Sequence, residues 1–436
     1  MATRARDRSR HVADRGDGGD RTSPREGRGP RAAVAALLGS SGQIAVAMML
    51  MNLATYGFTM SAARIIGPVP YGAFFALMNL VMIVSVVQLG LQATAARRIS
   101  ADPTHVGQIE REVLRVSMRA SLLLGGLLLV GAPLVNHLLG LDSLPTALLA
   151  AVAAVPMTMT GAQAGILQGE RRWRQLAILY VLSGVPRLVV GLALILWQPT
   201  EFMAFLGVTL GYYAPFLYGL AVLRHGRESG DTHDRHGFLP VIKEAVVNSQ
   251  ALFAYFALTN IDMLVGRSVL DSHDSGLYAA GLIVSRAVMF LPQFVVVAFP
   301  SMSTSLNPAR ALVSSMALVG GLGGACVLAT AVLPDLVLVF AGGREYDEVS
   351  GLLWVFALLG TCMALLQLLV YFVLARQGTL SIVLVWVALV VLVGVASTMV
   401  SSVSGLLGVV LAVELVLLLV LSAISFVKLR ERPTAQ

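Results

Sequence analysis

Residues 251–270 read ALFAYFALTNIDMLVGRSVL and, after the polar turn DSHDS, residues 276–300 read GLYAAGLIVSRAVMFLPQFVVVAFP. A helix rises about 1.5 Å per residue, so each segment is long enough to cross the roughly 30 Å hydrocarbon core of a bilayer. The two segments nevertheless carry Asn260, Asp262 and Arg286. Ionisable groups at membrane depth cost several kcal/mol unless they are paired or hydrated. Because a short turn makes the segments antiparallel neighbours, we expect Asp262 and Arg286 to come within reach of each other.

The composition extends this interpretation to the whole chain. Of 436 residues, 57% are hydrophobic and 13% are charged, whereas about 25% of the residues of a soluble domain are charged. We predict an all-α polytopic membrane protein with about twelve transmembrane helices, arranged as two six-helix lobes around a central cavity. The predicted spans are residues 41–63, 71–96, 120–140, 145–168, 176–197, 202–223, 245–270, 276–300, 311–334, 349–375, 379–401 and 404–427.

Polar segments divide these spans into domains. Residues 1–40 mix Arg, Asp and Gly with few apolar side chains, so we predict a disordered basic cytoplasmic tail and not a signal peptide. The first lobe is residues 41–223 and the second is residues 245–427. Residues 224–244 form a cytoplasmic linker between the lobes, and residues 428–436 form a second cytoplasmic tail.

The basic residues of the short loops predict the orientation. Most of them fall on the side of the two termini, and the other side keeps only Arg64, Arg267 and Arg344. Since cytoplasmic loops carry an excess of basic residues, both termini are predicted to be cytoplasmic. Lys occurs only at Lys243 and Lys428. This bias towards Arg is typical of a GC-rich genome, so the predicted location is a bacterial plasma membrane.

The starts of the two lobes are similar to each other. Arg64 corresponds to Arg267 and Gly72 to Gly276, with one residue of slippage. This weak parallel repeat predicts two bundles related by an axis along the membrane normal, with a cavity between them that opens alternately to each side.

One loop has an amphipathic pattern. Val106, Ile109, Val113 and Val116 recur at helical spacing between charged residues. The pattern predicts a short helix that lies on the inner leaflet of the membrane.

Three stretches of the sequence contain short motifs that occur together in one protein family. Residues 63–100 contain an Arg, then Gly-Pro and Tyr-Gly, then Leu-Gly-Leu and a terminal basic pair. Residues 260–266 and 275–303 contain an Asn/Asp, Gly-x-Tyr, Arg and Phe-Pro pattern. Residues 336–358 are similar to a Phe-Gly-x-x-Tyr segment that precedes a tenth span. Together the stretches resemble the polysaccharide transporter (oligosaccharide flippase) family of the multidrug/oligosaccharidyl-lipid/polysaccharide (MOP) superfamily.

This resemblance implies a transporter and not an enzyme. Its expected cargo is a polyprenyl-pyrophosphate-linked oligosaccharide, moved from the inner to the outer leaflet by alternating access. Expected partners are this lipid-linked glycan, membrane lipids and the polysaccharide assembly machinery. A coupling ion, H⁺ or Na⁺, is left open, and no nucleic acid, metal or other cofactor is expected. Relatives that flip the peptidoglycan precursor carry additional spans that we do not find, which disfavours that cargo.

Polar residues of the second lobe are candidate substrate contacts. For Asp262 and Arg286, a structural ion pair and direct contact with the substrate are both open, and Asn260 accompanies them. Arg267 lies at the outer end of the same span as Asp262, where contact with a headgroup or a loop is the better explanation. Arg64, its counterpart in the first lobe, is a further candidate.

Arg187 lies in the middle of the fifth span, and no carboxylate of its own lobe lies at comparable depth. A guanidinium is a rigid, permanently charged fork that suits phosphate oxygens. We therefore expect Arg187 to line the central cavity and to bind the pyrophosphate. The alternative is a local kink in which carbonyl groups beside Pro186 satisfy the side chain. Glu414, among Val and Leu residues, is either a protonated packing residue or a proton-coupling site.

Two other functions stay open. A multidrug cation antiporter shares this architecture, although the spans of the first lobe carry no Asp or Glu at membrane depth. A membrane glycan polymerase is a more distant alternative, and it would need an acidic outer loop. The longest outer loop carries the acidic residues Asp335, Glu345, Asp347 and Glu348.

Overall fold

Helices account for nearly all of the chain that this computed structural model describes, namely residues 40–224, 237–289, 308–374 and 379–430. The first half forms α1 (Ser40–Ile66), α2 (Pro68–Val84), α3 (Val86–Ala101), α4 (Val106–Leu139), α5 (Leu144–Gly169), α6 (Trp173–Trp197) and α7 (Glu201–Leu223). The second half forms α8 (Phe238–Val269), α9 (Ser272–Met289), α10 (Pro308–Val332), α11 (Pro334–Ala341), a 3₁₀ helix (Arg344–Leu352), α12 (Leu353–Leu374), α13 (Thr379–Met399) and α14 (Val403–Arg430).

The prediction of an all-α polytopic protein is confirmed. Within the described ranges there is no strand, and nine helical stretches are long and apolar enough to cross a membrane. They match predicted spans one to six, nine, ten and twelve. The other three predicted spans coincide with α8, α9 and α13. Parts of several predictions lie outside the described residues: the tail up to residue 39, most of the linker (225–236), the end of the eighth span (290–300), residue 375 at the end of the tenth, and residues 431–436.

Local sequence explains where several helices begin and end. Gly67, with φ of 77°, separates α1 from α2, and Pro68 starts α2 because a proline lacks the N–H that a first turn leaves unpaired. Gly140, with φ of 55°, ends α4 in the left-handed conformation that glycine adopts at low cost. Thr200 caps α7 by accepting a hydrogen bond from the backbone N–H of Met203 at 3.2 Å.

The helices of each half pack in the same pattern. In the first half α1 packs on α6, α4 on α5, α6 on α7, α5 on α7, and α3 on α5. In the second half the equivalent pairs, six spans later, are α8 with α13, α10 with α12, α13 with α14, α12 with α14, and α9 with α12. This is the arrangement that a parallel internal repeat requires. Each half has six spans, so the chain returns to the side on which that half started. α1 therefore begins and α14 ends on the same face, which we call the terminal face. The opposite face is the distal face.

The amphipathic pattern near residue 110 has a different explanation from the one its sequence predicted. α4 runs without interruption from Val106 to Leu139, so the prediction of a separate helix on the membrane surface is wrong. Ile109 and Val113 are fully buried and belong to one apolar cluster with Val241 and Ala245 of α8. The apolar stripe therefore contacts a helix of the other half and not lipid.

α8 begins before the predicted seventh span, which started at residue 245. Residues 238–244, which the sequence placed in the linker, form the first turns of α8. Because Val241 in these turns packs on α3 and α4, α8 contacts the first lobe on the terminal face, and it also packs on α2.

Candidate functional site

Arg286 of α9 joins the two halves near the middle of the bundle. Its Nη2 donates to Asn79 Oδ1 of α2 at 2.9 Å, to Asn260 Oδ1 of α8 at 2.9 Å and to the carbonyl of Thr259 at 2.7 Å. All three acceptors are neutral. Among the residues that the structure describes, these bonds use Nη2 alone, and neither Nε nor Nη1 makes a hydrogen bond.

The two asparagines hold Arg286 in a fixed orientation. Asn79 Nδ2 donates to the carbonyl of Phe75, and Asn260 Nδ2 donates to the carbonyl of Phe256, each at 2.7 Å and four residues earlier in its own helix. Both side chains are almost fully buried. Because each amide nitrogen is used by its own helix, each amide oxygen is left to face Arg286.

Asp262 lies close to Arg286 but does not pair with it directly. One carboxylate oxygen, Oδ2, accepts a hydrogen bond from the hydroxyl of Tyr278 at 2.9 Å. The other, Oδ1, is buried and has no hydrogen-bond partner. Asp262 and Arg286 interact electrostatically, yet no ion pair joins these two described residues. Of the two alternatives left open for Asp262 and Arg286, the direct ion pair is not formed in this structure: amide and carbonyl oxygens take the place of the carboxylate at Arg286.

Glu414 of α14 is fully buried, and neither of its carboxylate oxygens has a hydrogen-bond partner. It is near enough to Asp262 and Arg286 for electrostatic interaction, and α14 contacts both α8 and α9. The fold thus brings Asn260, Asp262, Arg286 and Glu414 together in the second half, although Glu414 is about 150 residues from Asp262 in sequence. We call these four residues and Asn79 the central polar cluster.

Arg187 lies apart from this cluster, within the first half. Its guanidinium stacks over the ring of Tyr212 in α7, with the guanidinium carbon 4.6 Å from the ring centroid. Its Nε is buried and unpartnered. The side chain is therefore not satisfied by carbonyl groups at Nε, as the local-kink alternative required, and a cation–π contact contributes to holding it in place.

Arg267 links the halves on the distal face. Its Nε donates to the carbonyl of Leu139 at 2.6 Å and its Nη2 to the carbonyl of Gly140 at 3.1 Å, at the end of α4. Its Nη1 donates to Ser275 Oγ at 2.6 Å. The last turn of a helix leaves carbonyl groups unpaired, and Arg267 caps those at the end of α4. These bonds favour a structural role for Arg267. Arg64 is exposed on the same face, beside Gly343.

Other contacts bring the halves together on both faces. On the distal face the backbone of Gly276 packs on Gly72, and the hydroxyl of Tyr346 donates to the carbonyl of Ala63 at 2.8 Å. On the terminal face Glu244 of α8 binds the guanidinium groups of Arg97 and Arg98, the second at 2.8 Å.

A cavity of about 250 Å³ lies between α2, α4 and α8. Apart from Ser268 its lining is apolar: Leu80, Val135, Leu138, Leu139, Ile261, Leu264 and Val265. It can accept hydrocarbon but offers no charge to a phosphate, so an anionic group would have to bind elsewhere.

Three residues of the site were missed at the sequence level: Asn79, Thr259 and Tyr278. Asn79 had a visible signal, because it is a polar residue deep in an apolar span, as Asn260 is. Thr259 offers its backbone carbonyl to Arg286, which no side-chain pattern reports, and its Oγ1 accepts a hydrogen bond from Asn260 Nδ2 at 3.2 Å. Among the described residues no group of three metal-binding side chains occurs. The arrangement is suited to binding an anion or a proton.

Solved structures show the same fold. An inward-facing multidrug resistance MATE family transporter of the MOP superfamily aligns with a TM-score of 0.67 at 14% identity, over 89% of this chain and 96% of that one. An outward-facing structure of a multidrug resistance MATE family transporter aligns with a TM-score of 0.55 at 15% identity, over 91% and 96%. A eukaryotic MATE transporter aligns with a TM-score of 0.52 at 15% identity, over 89% and 96%.

The sequence itself identifies the family. No curated protein matches the chain, but the family model described as "Polysaccharide biosynthesis protein" matches residues 37–306. That match covers more than half of the chain and confirms the resemblance drawn from the three stretches. The chain therefore belongs to the polysaccharide biosynthesis protein family, and it is a multi-pass membrane protein that shares the fold of the MATE transporters.

Proposed function

We propose that this transporter moves a lipid-linked oligosaccharide, joined to a polyprenyl carrier through a pyrophosphate, from the inner to the outer leaflet of a bacterial plasma membrane. The observation that carries the proposal is the charge of Arg286. Its hydrogen-bond acceptors are two amides and a carbonyl, so no described carboxylate binds the guanidinium directly where the two halves meet. A pyrophosphate is the anionic part of such a cargo.

The geometry at Arg286 fits phosphate recognition. Arginine binds phosphate oxygens through charge-assisted N–H donors, and among the described residues neither Nε nor Nη1 of Arg286 makes a hydrogen bond. Because Asn79 belongs to the first half and Asn260 to the second, a ligand at Arg286 would be sensed by both halves at once. Alternating access requires such a site between the lobes.

Arg187 is a second cation for the same cargo. It is buried on Tyr212 with Nε unpartnered, and a buried guanidinium without an anionic partner gains from binding one. We propose that Arg187 approaches the pyrophosphate from the first half during transport, with Arg286 on the opposite side.

The proposed orientation places the terminal face in the cytoplasm. The Arg-rich loops, including Arg97 and Arg98, lie on that face, as the positive-inside rule requires. The oligosaccharide would then enter from the side where it is synthesised and leave towards the polysaccharide assembly machinery outside.

The test uses bacterial cells that lack the gene. Lipid-linked sugars are extracted and identified by mass spectrometry, and a membrane-impermeant glycosidase reports which leaflet holds them. We expect one oligosaccharide to accumulate in the inner leaflet and wild-type protein to clear it. A hydrogen bond to a charged group contributes roughly 1.5–3 kcal/mol, so Arg286→Ala should slow clearance about tenfold or more.

Arg344→Ala is the matched control, since Arg344 is exposed on the distal face. It should clear the oligosaccharide at the wild-type rate, and Arg187→Ala should resemble Arg286→Ala. Wild-type clearance by both Arg286→Ala and Arg187→Ala, at equal amounts of membrane-inserted protein, would contradict the proposal.

A multidrug cation antiporter is the second candidate, because Asp262 and Glu414 are buried carboxyl groups without a directly bound cation. Such a protein would extrude cationic dyes against a gradient. Dye efflux that is lost in Asp262→Asn, without accumulation of a lipid-linked sugar, would favour that function.

A further inference from the structure

On the terminal face, two arginines of the first half share one carboxylate of the second half. Arg97 and Arg98 are neighbours near the end of α3, and Glu244 lies in the first turns of α8. Nε and Nη2 of Arg97 both donate to Glu244 Oε1, Nε at 3.0 Å. Nε and Nη2 of Arg98 each lie 2.8 Å from Oε2. Each guanidinium therefore directs the same pair of donors at its own oxygen.

This cluster is open to water on one side. The Arg97 side chain is 62% exposed, whereas those of Arg98 and Glu244 are 11% and 19% exposed. Arg97 thus faces the solution, and Arg98 lies behind it. Since exposed ion pairs contribute little to stability, an anion from solution needs only a modest advantage over Glu244 to take its place.

We propose that Arg97 and Arg98 form an anion site, separate from Arg286, at which a phosphate-bearing group replaces the carboxylate of Glu244. Arginine binds carboxylate and phosphate oxygens through the same charge-assisted N–H donors, so the donors that hold Glu244 also suit phosphate. Glu244 offers one negative charge to the two guanidinium groups. A pyrophosphate that is esterified at both ends carries two, so the exchange favours the pyrophosphate.

The exchange also loosens the contact between the halves. Besides Glu244, the first turns of α8 are held by Val241, which packs in one apolar cluster with Ile109 and Val113 of α4. The guanidinium carbon of Arg119 lies 4.4 Å from the centroid of the Phe238 ring. When a phosphate takes the two arginines, Glu244 is released and these apolar and cation–π contacts remain.

The terminal face therefore opens more readily when the anion is bound. In the proposed orientation this face meets the cargo first, so the pyrophosphate of the cargo would unlock its own entrance. That assignment of the anion to the cargo rests on the proposed function, whereas the anion site does not.

Thiol labelling in lipid nanodiscs of phosphatidylcholine tests the site. The reporter is a cysteine introduced at the fully buried Val241, in a chain whose Cys326 and Cys362 are replaced by Ala. Arg286→Gln is added, so that binding at Arg286 does not contribute. We expect saturating inorganic pyrophosphate to make an uncharged maleimide react about fivefold faster, the factor that corresponds to loss of the exposed ion pairs.

Three variants of this parent chain distinguish an anion site from a simple seal. Glu244→Gln should label at the faster rate without pyrophosphate, and calorimetry should show pyrophosphate bound about fivefold more tightly, because its competitor is gone. Arg97→Gln, at an exposed position, should abolish the response to pyrophosphate. Arg111→Gln is the matched control, since Arg111 is exposed near the start of α4, and it should respond as the parent does.

The proposal is overturned if potassium chloride at the same ionic strength accelerates labelling equally, because screening alone would then explain the effect. A response that survives in Arg97→Gln would also overturn it. Acceleration by phosphatidylglycerol in the nanodisc, without any by pyrophosphate, would make the phosphate a lipid headgroup and refute the link to the cargo. An intact response to pyrophosphate, with no oligosaccharide accumulating in the cell assay, would refute only the cargo.

Discussion

At the residue scale, two buried asparagines decide what Arg286 can bind. Asn79 and Asn260 present oxygens to the guanidinium because their nitrogens are used by their own helices. A carboxylate at either position would also accept this hydrogen bond, but it would neutralise the charge. An amide at these positions therefore fixes the orientation of Arg286 without forming an ion pair with it. The guanidinium remains able to attract an anion.

The Asn79→Asp substitution tests whether Arg286 has only a structural role or also binds phosphate. The substitution is nearly isosteric and converts the 2.9 Å hydrogen bond to Arg286 into an ion pair. We expect thermal stability equal to or above that of the wild type, because the new carboxylate has a cation within reach. We expect clearance of the lipid-linked oligosaccharide to fall about tenfold, as one charge-assisted contact to the anion is lost.

The control for the added charge is Gln198→Glu, at an exposed position beyond the end of α6. It should change neither the melting temperature nor the clearance rate. If Asn79→Asp transports as well as the wild type, Arg286 has only a structural role, and the cargo site must be sought elsewhere.

At the element scale, α8 carries most of the described contacts between the halves. On the terminal face Glu244 binds Arg97 and Arg98, α8 also packs on α2, and on the distal face Arg267 caps α4. A single helix of 32 residues thus contacts the first lobe along its whole length. Opening either face requires that α8 release one set of these contacts.

Glu244→Gln should loosen the terminal face. The Arg97 side chain is 62% exposed and that of Arg98 is 11% exposed, so the ion pairs together contribute about 1 kcal/mol after solvent screening. That corresponds to roughly a fivefold shift of the opening equilibrium. A cysteine introduced at Val241, which is fully buried against α4, should react about fivefold faster with a soluble thiol reagent in the Glu244→Gln background.

Glu112→Gln is the control for that experiment, because Glu112 pairs with Arg115 within α4 and no ion pair among the described residues joins it to the second half. In the Glu112→Gln background, the cysteine introduced at Val241 should react with the thiol reagent at the same rate as in the parent protein. Equal rates in Glu244→Gln and Glu112→Gln would show that the terminal-face ion pairs do not restrain opening.

The sequence predicted the number and type of these elements but not their lengths beyond the membrane. Hydropathy reports a helix only where lipid demands apolar residues, so the terminal-face extensions of α4 and α8 were assigned to a surface helix and to a linker. The stripe of Ile109 and Val113 is compatible with either a membrane surface or a helix partner. That partner, Val241, lies about 130 residues away in sequence, and no local pattern identifies it.

At the scale of the whole molecule, the site depends on contacts between repeats. The polar residues Asn260, Asp262 and Arg286 were recognisable because they interrupt apolar spans. Their partners were not predictable, since each acceptor of Arg286 comes from another helix and Glu414 arrives from the last span. Spacing within one hairpin correctly placed Asp262 near Arg286. It could not show that neutral amides from both halves would surround the guanidinium instead.

The distal face is held closed by backbone packing, and this gives a prediction about the molecule as a whole. A Cβ atom added at Gly72 would lie 2.9 Å from the nitrogen of Gly276 and 3.0 Å from its Cα. These distances are shorter than van der Waals contact, and the neighbouring atoms are backbone that cannot rotate away. Gly72→Leu therefore cannot form the closed arrangement of α2 and α9 without separating the two halves.

Spin labels at Trp197 and Glu348, both exposed on the distal face in different halves, measure this separation by pulsed electron resonance. We expect the distance distribution of Gly72→Leu to shift to longer values and its clearance of the oligosaccharide to be lost, because the transporter no longer closes towards the outside. Gly126→Leu is the matched control, since a Cβ there meets nothing within 4 Å, and it should behave as the wild type. If Gly72→Leu gave the wild-type distances, the packing of Gly72 on Gly276 would not set distal closure, and Arg267 with its cap on α4 would remain as the restraint.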